Sequence, residues 1–438
     1  MKAWIQQLLD RIRTSLWFTP ACMGFFAVCL GIFIPRLNLE LDWEKGDLLR
    51  RWFNVSHDQA RLILSTISGA LVTVAGTVFS ITVVTLSVSS QQFGSRLLRA
   101  YQRDRATQVS IGCLLSTALY SILVLRSVKT SLPVPVVAVL LALVLAVLSM
   151  GLLIFFVHHV AYIIQAPAVI AMVCRDLGAS LSATFPEKKK GEETRDLQKR
   201  LGSIADGLGT AHLHISAHSE GYIQGMDYET VLEAATQSQT VIEVLKRPGD
   251  FHIRGDTLFS VYGKAELPKK TIKHLQSALS TGHRRTTVQD AECGINELVE
   301  VAVRALSPGV NDPFTAMNCL DYLGAYLCMA ATLSPQPKYL HDKDENLRVI
   351  LRTFTLAGLI DAAFNQIRQY GQGSVAVSIR VLEVLERLLK KGCEDPARDA
   401  ILQHAEMVVE DLSQHCTADT QAIRDRYERI LAQKRFLG

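Results

Sequence analysis

"GTVFSITVVTLSVSSQQFGSRLLRAYQRDR" (Gly76–Arg105) decides how this chain is read. Its first half is mostly β-branched or hydroxylated, which by propensity alone favours a strand. Its second half gathers Arg96, Arg99, Arg103 and Arg105. The charges around it settle the matter. No Asp, Glu, Lys or Arg occurs from Leu62 to Ser95. A helix rises about 1.5 Å per residue, so roughly 20 residues cross an apolar layer about 30 Å thick. Inside such a layer each backbone group must be satisfied within its own segment, which makes an isolated apolar run helical whatever its propensities. The stretch Leu62–Ser90 therefore reads as a transmembrane helix. Its hydroxyls are tolerated because they can bond back to carbonyls one turn earlier.

Three further windows behave alike: Ser15–Pro35, Gln108–Leu125 and Ser131–Gln165, the last containing VAVLLALVLAVLSMGLLIFFV. The expected spans are about 15–35, 62–90, 108–125 and 134–165. A signal peptide is the rival reading of the first, but three spans follow it and no small-residue cleavage site is evident. Orientation follows the basic loops. The loop after the second span holds four arginines against Asp104, and the N-terminal tail holds Lys2, Arg11 and Arg13 against Asp10. Both are expected on the cytoplasmic side. An even number of crossings then leaves both termini and everything beyond Gln165 in the cytoplasm, with the chain in a bacterial inner membrane.

Residues 1–130 hold 14 Lys and Arg against 7 Asp and Glu, whereas the whole chain holds 46 against 42. The basic excess thus belongs to membrane orientation and argues against nucleic acid as a partner. The nine cysteines contain no C-x-x-C pair and read as small buried hydrophobes of a reducing compartment.

After the spans, a charged linker (Pro186–Arg200) precedes short strands at His212–Ser216 and Gly221–Met226 and a helix at Asp227–Gln237. Thr240–Leu245, the turn RPGD (Arg247–Asp250) and Phe251–Gly263 read as strand, turn and strand. From Pro268 the patterns are helical: Cys293–Leu306, a helix opened by Asn311 or Asp312 with Pro313 at its first position, then Asn346–Gln369, Ser374–Lys391, Pro396–Ser413 and Ala418–Phe436. The expected fold is a mainly α membrane protein. A four-helix transmembrane domain (1–185) is followed by a linker with a small α+β module (186–265) and a helical cytosolic domain (266–438).

"GTVFSITVVTLSVSSQQFGSRLLR", "SEGYIQGMDYETVLEAA", "RPGDFHIRGDTLF" and "LVEVAVRALSPGVNDPFTAMNCLDYL" together resemble the bacterial family of predicted inner-membrane proteins called domain of unknown function 2254. The resemblance runs in order over about residues 15–330. Within DAECGINE, Asp290 and Gly294 fit the family pattern, while Cys293 stands where an aromatic is expected. The resemblance implies membership and architecture, and no activity.

Several residues could carry function. Thr66, Thr73, Thr77, Ser80, Ser87 and Gln91 fall within an arc of about 80° on the second span. Arg61 stands at one end, and Arg96, Arg99 and Arg103 at the other. A hydroxyl-lined face with cationic mouths suits an ion pathway, provided several subunits surround it. The competing reading is helix packing, for which small and hydroxyl residues, with Gly69 and Gly76, are equally suited. No acid or base lies deep in a span, and His158 and His159 read as an interfacial pair, which disfavours a proton-coupled carrier. HLHISAH offers His212, His214 and His218 without further suitably spaced ligands, so no metal site is expected. Ser307, Asn311, Asp312 and Thr315 gather at a helix N-terminus, a candidate anion or ligand site whose simpler reading is a capped turn. No Walker loop, G-x-S-x-G or H-E-x-x-H occurs.

The expectation is therefore not an enzyme, with no cofactor. It is a homo-oligomeric ion channel or channel-like conduit, with basic mouths that suit anions and a cytosolic assembly or gating domain. The alternative is a non-conducting envelope sensor or scaffold. Expected partners are the lipid bilayer, further copies of the chain, and a small ion or cytosolic ligand.

Overall fold

The computed structural model describes residues 17–37, 55–94, 104–130, 133–185, 192–263, 267–393, 395–412 and 418–437. The chain divides into two compact units, Met1–Val169 and Ile170–Gly438. The first holds α1 (Phe18–Leu37), α2 (His57–Phe93), α3 (Arg105–Ser127) and α4 (Val136–Ile163). These helices lie within a few residues of the four charge-free windows, and each is long and apolar enough to cross a membrane by length and composition. Apolar chains face outward on them, among them Phe25, Phe26, Val147, Met150 and Ile154. A bundle apolar outside as well as inside is suited to lipid rather than water.

Helix α2 starts with a reciprocal capping box. Ser56 Oγ accepts from Gln59 N at 3.3 Å and Gln59 Oε1 accepts from Ser56 N at 3.0 Å. Its 37 residues extend about 55 Å, well beyond an apolar layer about 30 Å thick. Helices α1 and α3 approach closely at Gly112, where an added Cβ would lie 2.6 Å from Met23 Sδ and 3.2 Å from the Pro20 backbone. Such small-residue contacts let helices pack where no hydrophobic force drives them together. Two clusters fill the interior. One contains Ala27, Leu64, Tyr120, Val124 and Ala142, the other Ala75, Val78, Leu114, Phe156 and Val160.

A fifth helix, α5 (Ala166–Thr184), is also long and apolar enough to cross a membrane by length and composition. It carries Arg175 and Asp176. Leu177 and Leu181 are fully buried, with Leu177 over Gly294, where a Cβ would come within 3.1 Å. Most of α5 thus packs within the second unit.

That unit continues with α6 (Glu192–Asp206), β1 (Leu213–Ser216), β2 (Gly221–Met226), α7 (Tyr228–Gln237), β3 (Val241–Val244), β4 (Phe251–His252) and β5 (Thr257–Tyr262). Next come α8 (Lys269–Ser277), β6 (Leu279–Gly282), α9 (Ala291–Ala305), α10 (Pro313–Thr332), β7 (Tyr339–His341) and β8 (Leu347–Ile350). It closes with α11 (Leu356–Gly371), α12 (Val375–Leu389), α13 (Asp395–Leu412) and α14 (Ala418–Leu437). One sheet has the order β1-β5-β3-β8-β7 and the other β4-β2-β6. All pairings are antiparallel except β3 with β8, where Ile242 faces Val349.

Two expectations are corrected here. The segment beginning at Asn346 is not helical at its start, because Leu347–Ile350 is drawn into the sheet between β3 and β7. The α+β module therefore does not end near residue 265, since β6, β7 and β8 come from the region expected to be wholly helical. The end of the charged linker also packs on the sheet. In α6, Leu201 is buried, and Gln198 brackets Tyr339 by donating to its carbonyl (2.9 Å) and accepting from its N–H (3.2 Å). Beyond the sheets, α9 to α14 form an array in which each helix packs on the one two places further along.

Candidate functional site: the outward face of the second helix

The buried residues of α2 are Ala60, Leu64, Ser68, Ala75, Val78, Thr82, Thr85 and Ser89. Their spacings of three, four and seven mark one helix face. Each of Thr66, Thr73, Thr77, Ser80, Ser87 and Gln91 stands two positions from a buried residue, about 200° around the helix. All six are exposed. The six polar residues thus lie opposite the packed face and take no part in the core of their own bundle. The hydroxyl residues on the packed face are instead Ser68, Thr82, Thr85 and Ser89. Gly69 and Gly76 are exposed too, with nothing within 4 Å of an added Cβ. Val84, 59% exposed, interrupts the polar row.

Some hydroxyls on this face are already satisfied. Thr73 Oγ1 donates to Gly69 O at 3.0 Å and Thr77 Oγ1 to Thr73 O at 3.2 Å. Thr66, Ser80 and Ser87 have no such bond among the described residues, and Gln91 has a partner of its own. Of the expected basic mouths, Arg61 donates from Nη2 to Val128 O at 3.1 Å, closing the C-terminus of α3. A cation there is favoured by the helix dipole. Arg96, Arg99 and Arg103 lie outside the described residues.

At the other end of α3, Asp104 caps the helix, accepting from Thr107 N at 2.9 Å and Thr107 Oγ1 at 2.6 Å. The same carboxylate meets His159 Nε2 at 2.9 Å. The imidazole expected to sit free at the interface therefore ties α4 to α3, while His158 is exposed. One hint of this pairing was legible beforehand: Asp104 is the lone acid in its basic loop. Deeper in the bundle, Ser149 Oγ donates to Thr117 Oγ1 at 3.1 Å and lies 3.5 Å from Cys113 Sγ. These three groups thus meet inside the bundle, whereas Ser110 Oγ of α3 is buried without a hydrogen-bond partner among the described residues.

In the second unit, Ser307, Asn311, Asp312 and Thr315 do come together. Asp312 caps α10, accepting from Thr315 N at 3.1 Å and Thr315 Oγ1 at 2.6 Å. Asn311 is left-handed at φ 48° and donates to Ser307 O at 2.9 Å, while Ser307 Oγ donates to Arg304 O at 2.6 Å. Hydrogen bonding from Thr315 holds the Asp312 carboxyl below the usual carboxylate range. The Asp312 carboxylate thus occupies the N-terminus of α10 as its cap. The histidine run is likewise engaged: His214 Nδ1 meets Ser260 Oγ at 3.1 Å and His218 Nε2 meets Gln276 Oε1 at 3.0 Å.

One feature of this unit was not read from the sequence. Arg285 makes a two-pronged pair with Asp290, at 2.8 Å and 2.9 Å, and Asp290 caps α9 through Cys293 N at 3.0 Å. Arg247 pairs with Glu292 at 2.5 Å and lies 4.2 Å from the Phe354 ring centre, and Arg352 reaches Asp250 at 3.3 Å. Gly249, at φ 95°, fits over Asp290, whose Oδ2 would stand 2.3 Å from an added Cβ. The turn RPGD is thus the hub of an ion-pair network joining β3, α9 and the strand leaving β8.

Comparison with known proteins places this architecture. The uncharacterized protein Mb1321c of Mycobacterium bovis is 28% identical over 410 residues, covering 90% of this chain and 75% of its own. The uncharacterized protein Rv1290c of Mycobacterium tuberculosis matches to the same extent. No solved structure matches the chain. The family described as "Predicted membrane protein (DUF2254)" matches residues 13–387. With its apolar helices, its sheet-bearing C-terminal unit and a match over most of its length, the chain belongs to that family of membrane proteins.

Proposed function

We propose that this protein is a homo-oligomeric ion conduit of the bacterial inner membrane, not an enzyme, with α2 of each subunit facing a shared axis. The observation that carries this reading is the placement of Thr66, Thr73, Thr77, Ser80, Ser87 and Gln91 opposite the packed face of α2. Six polar side chains turned to lipid would gain nothing there. Around a common axis, hydroxyls replace part of an ion's hydration shell. The basic residues of the loop after α2 would concentrate anions at one mouth. The second unit then serves assembly or gating in the cytoplasm, with α5 belonging to it rather than forming a fifth crossing.

A second reading is a non-conducting sensor or scaffold. It is favoured by the bonds of Thr73 and Thr77 to their own helix backbone and by the open glycines Gly69 and Gly76, which suit a dry seam between copies. Purified protein in liposomes, assayed for flux of several salts, separates the two. Flux that Ser80→Leu abolishes while the oligomer persists supports the conduit. An oligomer crosslinked through position 80 with no flux of any ion leaves the scaffold.

A further inference from the structure

We infer that the turn between β4 and β5 and the exposed face of α8 form a docking surface for anionic phospholipid. The tip of this turn is held by several hydrogen bonds. Asp256 N donates to Ile253 O at 3.1 Å, and Gly255, at φ 92°, supplies the left-handed turn position. The Asp256 carboxylate accepts from Ile253 N at 3.3 Å and from Lys246 Nζ at 3.1 Å. Gly255 N donates to Ala217 O at 3.0 Å and Ala217 N to Asp256 O at 2.9 Å, fixing the tip against the loop after β1.

This fixed tip holds two large apolar chains in the open. Phe251 is 49% exposed and Ile253 57%. Two apart on an extended segment, they project to the same side. The Tyr222 ring meets Phe251 edge-on at 5.0 Å, adding an aromatic with a polar end, the kind enriched where membrane meets water.

Cations surround the tip. Arg254 is exposed and donates from Nε to His218 O at 3.0 Å, and His218 pairs with Gln276 of α8. Lys269 and Lys273 precede Gln276 by seven and three residues, on its face of the helix, with Lys270 beside them; all three are exposed. The facing acids are Glu220, which is exposed, and Asp256, which Lys246 neutralises. Among the described residues, Arg254, Lys269, Lys270 and Lys273 thus stand against the exposed carboxylate of Glu220.

Charge complementarity selects an anionic partner, and the projecting apolar tip selects a deformable one. A bilayer accepts Phe251 and Ile253 among its acyl chains while its phosphates meet Arg254 and the lysines. Covalent attachment to a membrane protein keeps such a surface at high local concentration. The inference does not depend on the conduit reading, and its test involves no flux.

The test compares hydrogen exchange of the full-length protein in three samples. These are nanodiscs of phosphatidylcholine, nanodiscs of phosphatidylcholine and phosphatidylglycerol in equal parts, and phosphatidylcholine discs with added phosphatidylglycerol vesicles. Protection of residues 250–256 and 268–277 is expected in one or both samples containing phosphatidylglycerol, and not in phosphatidylcholine alone. It should vanish near 0.5 M salt, where screening shortens to about 4 Å. At roughly five-fold per cation, combining Arg254→Glu, Lys269→Glu and Lys273→Glu should weaken vesicle capture at least a hundred-fold. Phe251→Ser with Ile253→Ser should weaken it while leaving its salt dependence. Exchange that is the same in all three samples overturns the inference. If the tip is then equally protected in every lipid, another copy of the chain covers it.

Discussion

Replacing Asp290 separates a helix cap from an ion pair in the second unit. Its side chain is 1% exposed and accepts three hydrogen bonds, two from Arg285 and one from Cys293 N. Loss of an N-cap is worth about 1 kcal/mol. Removing one partner of a fully buried ion pair is worth about 3–5 kcal/mol. Arg285 is 21% exposed and has Glu292 at 4.0 Å, so water and a second carboxylate compensate it in part. Asp290→Ala is therefore expected at the lower end, about 3 kcal/mol in all. Asp290→Asn keeps a capping oxygen and should lose about 2 kcal/mol. At about 2–4 °C per kcal/mol, these correspond to melting shifts of about 6–12 °C and about 4–8 °C. All four tryptophans (Trp4, Trp17, Trp43 and Trp52) precede α2. Their fluorescence reports the first unit and serves as the control, while amide exchange across α9 during heating reports the second. Equal shifts for Ala and Asn would show that the cap contributes nothing. Shifts under about 2 °C for both would refute the argument that this pair organises the RPGD network.

The other predictions test the two faces of α2, the pH response and the number of crossings. Ser80→Leu should leave the tryptophan-monitored melt unchanged, because Ser80 is outside the bundle core. Thr82→Leu, at a position 2% exposed, should overpack it by about 1–3 kcal/mol; the opposite order would mean that α2 is rotated. In the β7–β8 hairpin, burial works against ionisation of Asp342, but bonds from Asn346, Arg348 and Asp344 prevail and its carboxyl titrates at about 2. A depressed carboxyl stabilises the folded state above its unfolded value near 3.9 and ceases to as pH falls through its folded value. Amide protection at residues 341–348 should therefore survive at pH 4 and fall towards pH 2; loss complete by pH 4 would contradict this. Asp312→Ala should destabilise the second unit by about 1 kcal/mol, read by exchange across α10. A C-terminal fluorescent fusion should be bright, whereas an active C-terminal alkaline phosphatase fusion would make α5 a fifth crossing.

Charge-free windows were sufficient to locate α1 to α4, because an apolar layer leaves a backbone one local solution and the sequence states where the layer begins and ends. The cap at Asp312 was legible because it too is local: it bonds the backbone N–H of Thr315, three residues away. Periodicity likewise placed six polar residues on one face of α2. Which face would pack was not local information. It depended on α3 and α4 covering Leu64, Val78 and Thr82, and only the folded bundle showed the polar row turned outward. Strand β8 was misread because four residues carry little pattern, and its identity comes from pairing with β3 a hundred positions earlier. The Arg285–Asp290 and His159–Asp104 pairs were hidden for a related reason. Charges in sequence have no partners until the chain's long-range contacts bring them together, and those contacts are set by packing that no single segment encodes.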